Sequence, residues 1–323
     1  MLVRSSTLVN YNPNNKKENK GKSNNVWKNI SKNYELYIFI LPAFLYFIIF
    51  HYAPMYGIQI AFKNFIATKG MFGSPWVGLK HFRYFFQSYY FGLLLKNTIG
   101  ISLYSLAVGF PIPIILALLL NELKSTRFKK LVQNVTYAPH FISTVVMVGM
   151  IVAFLSPRSG IINQVIKAFG GEPIYFMSKA SMFKNIYVWS GVWQGAGWGS
   201  IIYLAALSGI DTQLHEAAIV DGATRFQRIT YINIPGIMPT MIILLILNCG
   251  SIMNVGFEKV FLMQNSLNME SSDVIATYVY RSGLLNAQYS FSSAVGLFNS
   301  VINFTLLILV NKISRSINKT SLW

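Results

Sequence analysis

The sequence predicts an all-α, polytopic membrane protein with six transmembrane helices, and three observations support that fold class. Hydrophobic residues make up 53% of the 323 residues and charged residues only 11%, whereas soluble domains carry roughly a quarter charged residues. Backbone groups in lipid must be satisfied within the segment, which favours helices. Six runs contain no Asp, Glu, Lys or Arg, and each exceeds the roughly 20 residues that a spanning helix needs: 36–62, 97–121, 131–157, 185–210, 229–257 and 282–311.

The bounds of the predicted helices follow from these runs and from the prolines within them. The first helix starts near Tyr34, and its Pro42 and Pro54 predict that it bends or ends near Pro54, because proline removes a backbone hydrogen bond. Ala138-Pro139 is predicted to open the third helix, and a small helix is predicted at 161–169 between helices three and four. The remaining helices are expected at 97–120, 186–208, 236–262 and 291–311.

The net charge of +17 is explained best by membrane topology. Sixteen of the 27 Lys and Arg residues lie in residues 1–33, in the loops 121–130 and 211–235, and after residue 311. Short loops rich in Lys and Arg stay in the cytoplasm, so both termini and the 211–235 loop are predicted to be cytoplasmic. Because this distribution fits membrane lipid headgroups, it argues against a nucleic-acid partner.

Three segments follow from composition. Residues 1–33 are rich in Asn, Lys and Ser and predict a flexible cytoplasmic tail. Residues 34–315 form the membrane domain, and 316–323 form a short cytoplasmic tail. Cys249 is the single cysteine, and the four histidines have no ligand spacing, so neither a disulfide framework nor a metal site is expected. No catalytic residues and no cofactor on this chain are predicted.

Helices four and five carry the candidate substrate path. Helix four interleaves tryptophans with glycines; the glycines are typical of close helix packing, while the aromatic residues together with Gln194 and Tyr203 also suit a sugar path. The sequence leaves both interpretations open. On helix five, Asn248 and Ser251 are three apart and Asn254 and Glu258 four apart, which predicts one polar stripe. Polar groups within a span face a bundle interior or a pathway, and interhelical hydrogen bonding explains the stripe equally well.

The loop 211–235 is a polar island between two apolar runs. Asp211 is placed to cap a short helix, on which Ala217 and Ala218 permit close approach to another surface beside the charge of Glu216. Gly222 is the residue type that adopts the left-handed turn at a helix end. A second short helix is predicted to break before Pro235, because the residue before proline resists helical geometry.

Residue by residue, this loop resembles the signature of permease subunits of ABC-type importers. That signature reads Glu-Ala-Ala, three residues, Gly, nine residues, Ile, one residue, an aliphatic residue and Pro. The matching positions are Glu216, Ala217, Ala218, Gly222, Ile232, Ile234 and Pro235, with Asp221 and Ala223 completing a form common in sugar-importing members. The segments 54–63, 203–211, 256–259, 277–281 and 321–323 are similar to the oligosaccharide or polysaccharide branch of that family.

The resemblance implies a type I ABC importer permease fold in a bacterial cytoplasmic (inner) membrane. It further implies a second homologous permease subunit, two ATP-binding subunits and an external solute-binding protein that delivers a carbohydrate. ATP and Mg²⁺ would bind the partner ATPase subunits, since this chain has no phosphate-binding Gly-rich Lys-Ser/Thr loop. The docking residues implied are Glu216, Ala217, Ala218, Asp221, Gly222 and Pro235.

The cargo is left open by the sequence. Basic residues in the predicted external segments are compatible with uronate-containing oligosaccharides, although neutral ones fit as well: Lys63, Lys69, Lys80, Arg83, Lys167, Lys179 and Lys184. The same architecture can carry an amino acid, a peptide or a metal. A stand-alone ion-coupled sugar carrier is disfavoured because the spans hold essentially no ionisable residues except near Glu258, and a membrane glycan enzyme because paired carboxylates are lacking.

Overall fold

The structure, a computed structural model, describes residues 31–318 and 321–322, with side chains up to residue 316 and at 321–322. The described chain is helical apart from turns, loops and one isolated β-bridge between Lys63 and Trp76. Its longer helices and continuous helical runs are α1 (Tyr34–Phe62), α2 (Lys80–Gln87), α3 (Tyr89–Asn121), α4 (Thr126–Phe141), α5 (Thr144–Phe154), α6 (Ile161–Ala168), α7 (Ala180–Ser208), α8 (Thr212–Val220), α9 (Arg225–Gly250), α10 (Phe257–Met263), α11 (275–285) and α12 (Tyr289–Asn318). Short helices of three or four residues lie at Ala67–Lys69, Gly70–Gly73, Phe176–Ser178 and Met269–Ser272.

Several of these helices are long and apolar enough to cross a membrane. By length and composition α1, α3, α9 and α12 qualify, and α4 with α5 adds a fifth span if that bent pair is counted as one. Helix α7 has 29 residues and occupies the fourth predicted span. The predicted class, an all-α polytopic membrane protein, is confirmed.

Two compact units make up the chain, Met1–Ile58 and Gln59–Trp323. In the first, the α-helix Tyr34–Phe47 passes into a π-helical turn at Ile48–Tyr52, with Pro54 in the next helical turn. The predicted N-terminal tail lies outside the described residues up to position 30, as do residues 319, 320 and 323 of the predicted C-terminal tail.

The second unit contains three apolar clusters, each joining helices that are distant in sequence. Phe85, Phe291 and Val295 bring α2 and α12 together. Met147, Phe183 and Val260 join α5, α7 and α10, while Ile114, Leu207 and Ile237 join α3, α7 and α9. Helix α7 therefore contributes to two clusters and lies at the centre of the packing.

Glycines on α7 bring neighbouring backbones close, as small residues do in membrane bundles. A Cβ at Gly197 would collide with the carbonyl group of Thr136 at the end of α4. The adjacent Trp198 ring stacks on His140 with centroids 4.5 Å apart. On α3, Pro113 would lie 3.3 Å from a Cβ at Gly199. The packing explanation for the glycines therefore holds at these two positions.

The third predicted helix is not one continuous span. Helix α4 starts earlier, at Thr126, where Ser125 accepts a hydrogen bond from the Phe128 N–H. Pro139 lies in a 3₁₀ turn that ends α4, and the chain bends by 100° before α5, whose N-terminus is capped by Ser143. The prediction that Ala138-Pro139 opens the helix is wrong, because a proline and a new N-cap separate two helices there.

The fifth predicted helix, 236–262, is also wrong at both ends. Helix α9 begins at Arg225 and ends at Gly250, and six residues separate it from α10. The Ser251 hydroxyl donates to the Asn248 carbonyl, and the Met253 N–H donates to Oδ1 of Asn303 on α12. Because side chains satisfy these backbone groups, the interruption is stable inside the bundle.

Candidate functional site: a docking hairpin and a neighbouring cavity

The segment 211–235 folds as a helical hairpin whose first half agrees with the sequence prediction. Asp211 caps α8 by accepting a hydrogen bond from the Gln213 N–H at 2.9 Å. Gly222 follows α8 with φ of +78°. The Ala223 N–H donates to the Ala218 carbonyl at 2.8 Å and the Gly222 N–H to the Ile219 carbonyl at 3.0 Å. This is a Schellman turn, so the predicted helix stop at Gly222 is confirmed.

The second half of the hairpin differs from the prediction. Thr224 and Gln227 form a capping box at the start of α9, and the helix then continues past Pro235 instead of breaking before it. A π-helical turn at Ile229–Asn233 precedes Pro235. A wider turn leaves room for the proline ring and for its missing N–H, which is how helices accommodate prolines at such bulges. The hairpin is thus continuous with a spanning helix.

Most of the predicted docking residues lie on the hairpin surface. Glu216, Ala217, Asp221, Gly222 and Pro235 are exposed, and Ala218 is half-buried. Large apolar side chains surround them, with Val220 87% and Phe226 77% exposed. The sequence reasoning missed the contribution of Val220, although an apolar residue directly before a helix stop is a usable signal. An apolar patch with two carboxylates, Glu216 and Asp221, among its residues suits a protein contact.

The base of the hairpin is packed into the unit. Ile210, Ile229 and Ile234 lie against the cluster that joins α3, α7 and α9. A guanidinium nitrogen of Arg228 lies 3.8 Å from a carboxylate oxygen of Glu122, in the turn that ends α3. The base of the hairpin is therefore fixed to α3 and α7, while the tip of the hairpin is exposed.

A cavity of about 550 Å³ lies between α3, α7 and the region from α9 to α10. Five of the six residues predicted for the substrate path line it: Gln194, Tyr203, Asn248, Ser251 and Asn254. Glu258 is exposed and is not among the lining residues, whereas its neighbour Lys259 is. The predicted stripe is wrong in this respect, because Asn254 lies in the interruption after α9 and Glu258 lies on the separate helix α10.

Hydrogen bonds to the bundle hold several of these polar side chains. Gln194 Nε2 donates to the Ile142 carbonyl at 2.8 Å. Asn254 Oδ1 accepts from Nδ2 of Asn299 at 3.0 Å and from Nδ2 of Asn303 at 2.9 Å. The same residues thus support the bundle and face the cavity, so both interpretations of the polar positions have a geometric basis. Their role in transport stays a prediction.

Among the lining residues that were not predicted, Tyr187 and Lys259 are in contact with each other. The Lys259 Nζ donates to the Tyr187 carbonyl at 2.7 Å and lies 4.5 Å from the centroid of the Tyr187 ring. The sequence signal that could have identified Lys259 is its position at the edge of the uncharged run 229–257. Among the described residues, no group of three or more His, Cys, Asp or Glu side chains is placed to hold a metal ion.

An exposed hairpin continuous with a spanning helix, in a helical bundle whose cavity carries polar side chains among apolar ones, is the architecture of a transport permease. Residues 109–319 match the family described as binding-protein-dependent transport system inner membrane component. The chain belongs to this family, and it is a multi-pass membrane protein with the type I permease fold.

Individual relatives cover almost the whole chain. It is 43% identical over 288 residues to the polygalacturonan/rhamnogalacturonan transport system permease protein YteP of Bacillus subtilis, which covers 89% of this chain and 90% of that protein. It is also similar to a chain of a bacterial ABC transporter involved in the import of the acidic polysaccharide alginate, with a TM-score of 0.85, 43% identity, and coverage of 91% and 99%. A second structure of the alginate transporter, in complex with an alginate pentasaccharide-bound periplasmic protein, matches equally well.

Proposed function

We propose that this chain forms half of the translocation path of an ATP-driven importer for acidic, uronate-containing oligosaccharides. The supporting observation is the continuity of hairpin and cavity. Tyr203 and Leu244 line the cavity; Tyr203 also belongs to the cluster on which the hairpin base packs, and Leu244 packs against that cluster. A displacement of the hairpin is therefore transmitted to the cavity wall through packed side chains.

Membership of the family of binding-protein-dependent permeases supports a proposal for the partners. A homologous permease subunit supplies the other half of the path. One ATP-binding subunit binds the hairpin of each permease. Glu216 contacts a basic group on that subunit, with Ala217, Ala218 and the apolar residues Val220 and Phe226 seated in its groove. ATP and Mg²⁺ are held by the ATPase pair. An external binding protein delivers the cargo, and both termini of this chain face the cytoplasm.

The acidic cargo is supported by the relatives. One relative is named for polygalacturonan and rhamnogalacturonan, and the structural neighbours for alginate; all of these contain uronic acids. At 43% identity across about nine-tenths of the chain, the lining of the path is expected to share its chemistry. Neutral oligosaccharides are the outcome that the transport assay must exclude.

Reconstituted transport tests this function. The complex of both permeases and both ATPases is placed in liposomes with ATP inside and binding protein outside, and uptake of labelled trigalacturonate is measured. Uptake is expected only when ATP, ATPases and binding protein are all present. Uptake that continues without the ATPases would identify a stand-alone carrier instead, and uptake restricted to neutral oligosaccharides would contradict the acidic cargo.

Replacing Gly222 with valine is expected to weaken docking of the ATPase. An L-residue in the left-handed region costs about 1–2 kcal/mol, and a β-branched side chain is the least tolerated there. The turn would open and Glu216 would leave its position. Co-purification of the ATPase with tagged permease measures this. Gly222→Asn is the matched control, since asparagine tolerates left-handed geometry; equal loss in both variants would show that the turn conformation is not the cause.

A further inference from the structure

Lys259 is a buried ammonium group that faces the cavity. The residue is 9% exposed and lines the cavity from α10. Its Nζ is positioned by the Tyr187 carbonyl and lies over the Tyr187 ring. A Cβ at Gly191 would lie 3.2 Å from this nitrogen, so the missing side chain at Gly191 leaves the space that the ammonium group occupies.

The charge of Lys259 is not balanced within the described part of the chain. An ammonium group has three donors, and within the described residues its one hydrogen bond is to Tyr187. No carboxylate lies among the described lining residues, and Glu258 is exposed and does not line the cavity. A buried charge without a counter-charge is costly. The cavity therefore holds a fixed positive charge that an anionic ligand can neutralise.

The rest of the lining suits a sugar that carries a carboxylate. Asn248, Ser251 and Gln194 line the cavity with amide and hydroxyl groups, which can form hydrogen bonds with sugar hydroxyls. The rings of Tyr187 and Tyr203 provide flat apolar surfaces. A lysine supplies a point charge and not the rigid bidentate fork of arginine. This matters because a path must bind its cargo weakly enough to release it.

The geometry points to Lys259 as the residue that selects anionic over neutral cargo in this cavity, by pairing with a carboxylate of the passing oligosaccharide. This inference rests on the proposed function for the cargo class. Selection for anions within the cavity is nevertheless measurable without any carbohydrate, so the two can fail separately.

The first experiment measures the charge preference of the cavity directly. Cysteine is placed at Gly195, a lining position where a Cβ meets no atom within 4 Å, in the assembled complex with Cys249→Ala. Reaction rates with an anionic and a cationic methanethiosulfonate reagent are compared. The ratio of the anionic to the cationic reaction rate is expected to be about tenfold higher at this cysteine than for a free thiol, because a charged cleft concentrates counter-ions.

Removing the charge should abolish that preference. Lys259→Gln, which can still donate to the Tyr187 carbonyl, and Lys259→Met, which keeps the aliphatic stem, should both bring the rate ratio to that of a free thiol. Lys259→Arg should keep it. A cysteine at the exposed Gly92 serves as the control whose ratio should not depend on residue 259. An unchanged ratio at position 195 in the Gln and Met variants would overturn the inference.

Transport of trigalacturonate completes the test. In proteoliposomes the Gln and Met variants should take it up at least about tenfold more slowly, while the Arg variant transports and all variants assemble with the ATPases. Wild-type rates in the Gln and Met variants would overturn the inference. If the wild-type complex transports no trigalacturonate, the proposed cargo is wrong. The ratio of the anionic to the cationic reaction rate at position 195 still decides whether Lys259 selects anions.

Discussion

Replacing Gly197 with alanine is expected to destabilise the bundle by about 3 kcal/mol or more, at or above the upper end of usual overpacking costs. The added methyl group would overlap the carbonyl group of Thr136 and lie 3.0 Å from the Tyr137 nitrogen. These are backbone atoms, so no side-chain rotation relieves the clash, and α7 must move away from α4. The expected result is a lower thermal unfolding temperature and a loss of monodisperse protein in size-exclusion chromatography.

Gly195→Ala is the matched control for this substitution. It adds the same methyl group two residues earlier on the same helix, where a Cβ meets no atom within 4 Å. Both variants raise the helix propensity of α7 equally. The control should unfold at or above the wild-type temperature. If Gly197→Ala is as stable as Gly195→Ala, then α7 and α4 do not approach as closely as described.

Replacing Glu216 with lysine is expected to leave the protein in the membrane and to abolish ATP-driven uptake. The carboxylate is exposed, so the substitution leaves the core intact. At a docking surface it turns an attractive contact into a like-charge one, which costs several kcal/mol. ATP hydrolysis by the complex should no longer be coupled to transport, and co-purification of the ATPase should fall. Uptake and hydrolysis measured on the same proteoliposomes would show the loss.

The control for Glu216→Lys is Glu172→Lys, an identical charge change on another exposed residue outside the hairpin. It should not alter co-purification with the ATPase. Wild-type uptake by the Glu216 variant would remove the basis for assigning docking to this hairpin. Reduced co-purification in both variants would instead indicate a general effect of net charge.

The hairpin was predictable because its geometry is local. A cap at Asp211, a left-handed turn at Gly222 and the spacing of the signature all arise within a few residues, where sequence and conformation are directly linked. The same holds for the number and approximate place of the apolar runs. The continuation past Pro235 was not predictable in this way, because a π-helical turn has no reliable sequence signal.

The cavity was less accessible to sequence reasoning. Helix periodicity placed Asn254 and Glu258 on one face, but the helix ends at Gly250 since Asn303, 50 residues away, accepts the Met253 N–H. Such long-range satisfaction of backbone groups is not visible in a local pattern. Lys259 was missed for the same reason, because the interruption reorients α10 so that the lysine and not the glutamate lines the cavity.

Tyr203 and Leu244 line the cavity and also contribute to the packing beneath the hairpin, Tyr203 as a member of the apolar cluster and Leu244 packed against it, which has a genetic consequence. Substitutions at these two positions cannot separate recognition of the cargo from response to the motor, since each side chain borders both. Second-site suppressors of a defect at the hairpin tip should accordingly map to the cavity wall, at the other end of the packed region that joins the two. The set of oligosaccharides that this subunit accepts and its coupling to ATP hydrolysis would then evolve together, and not as independent traits.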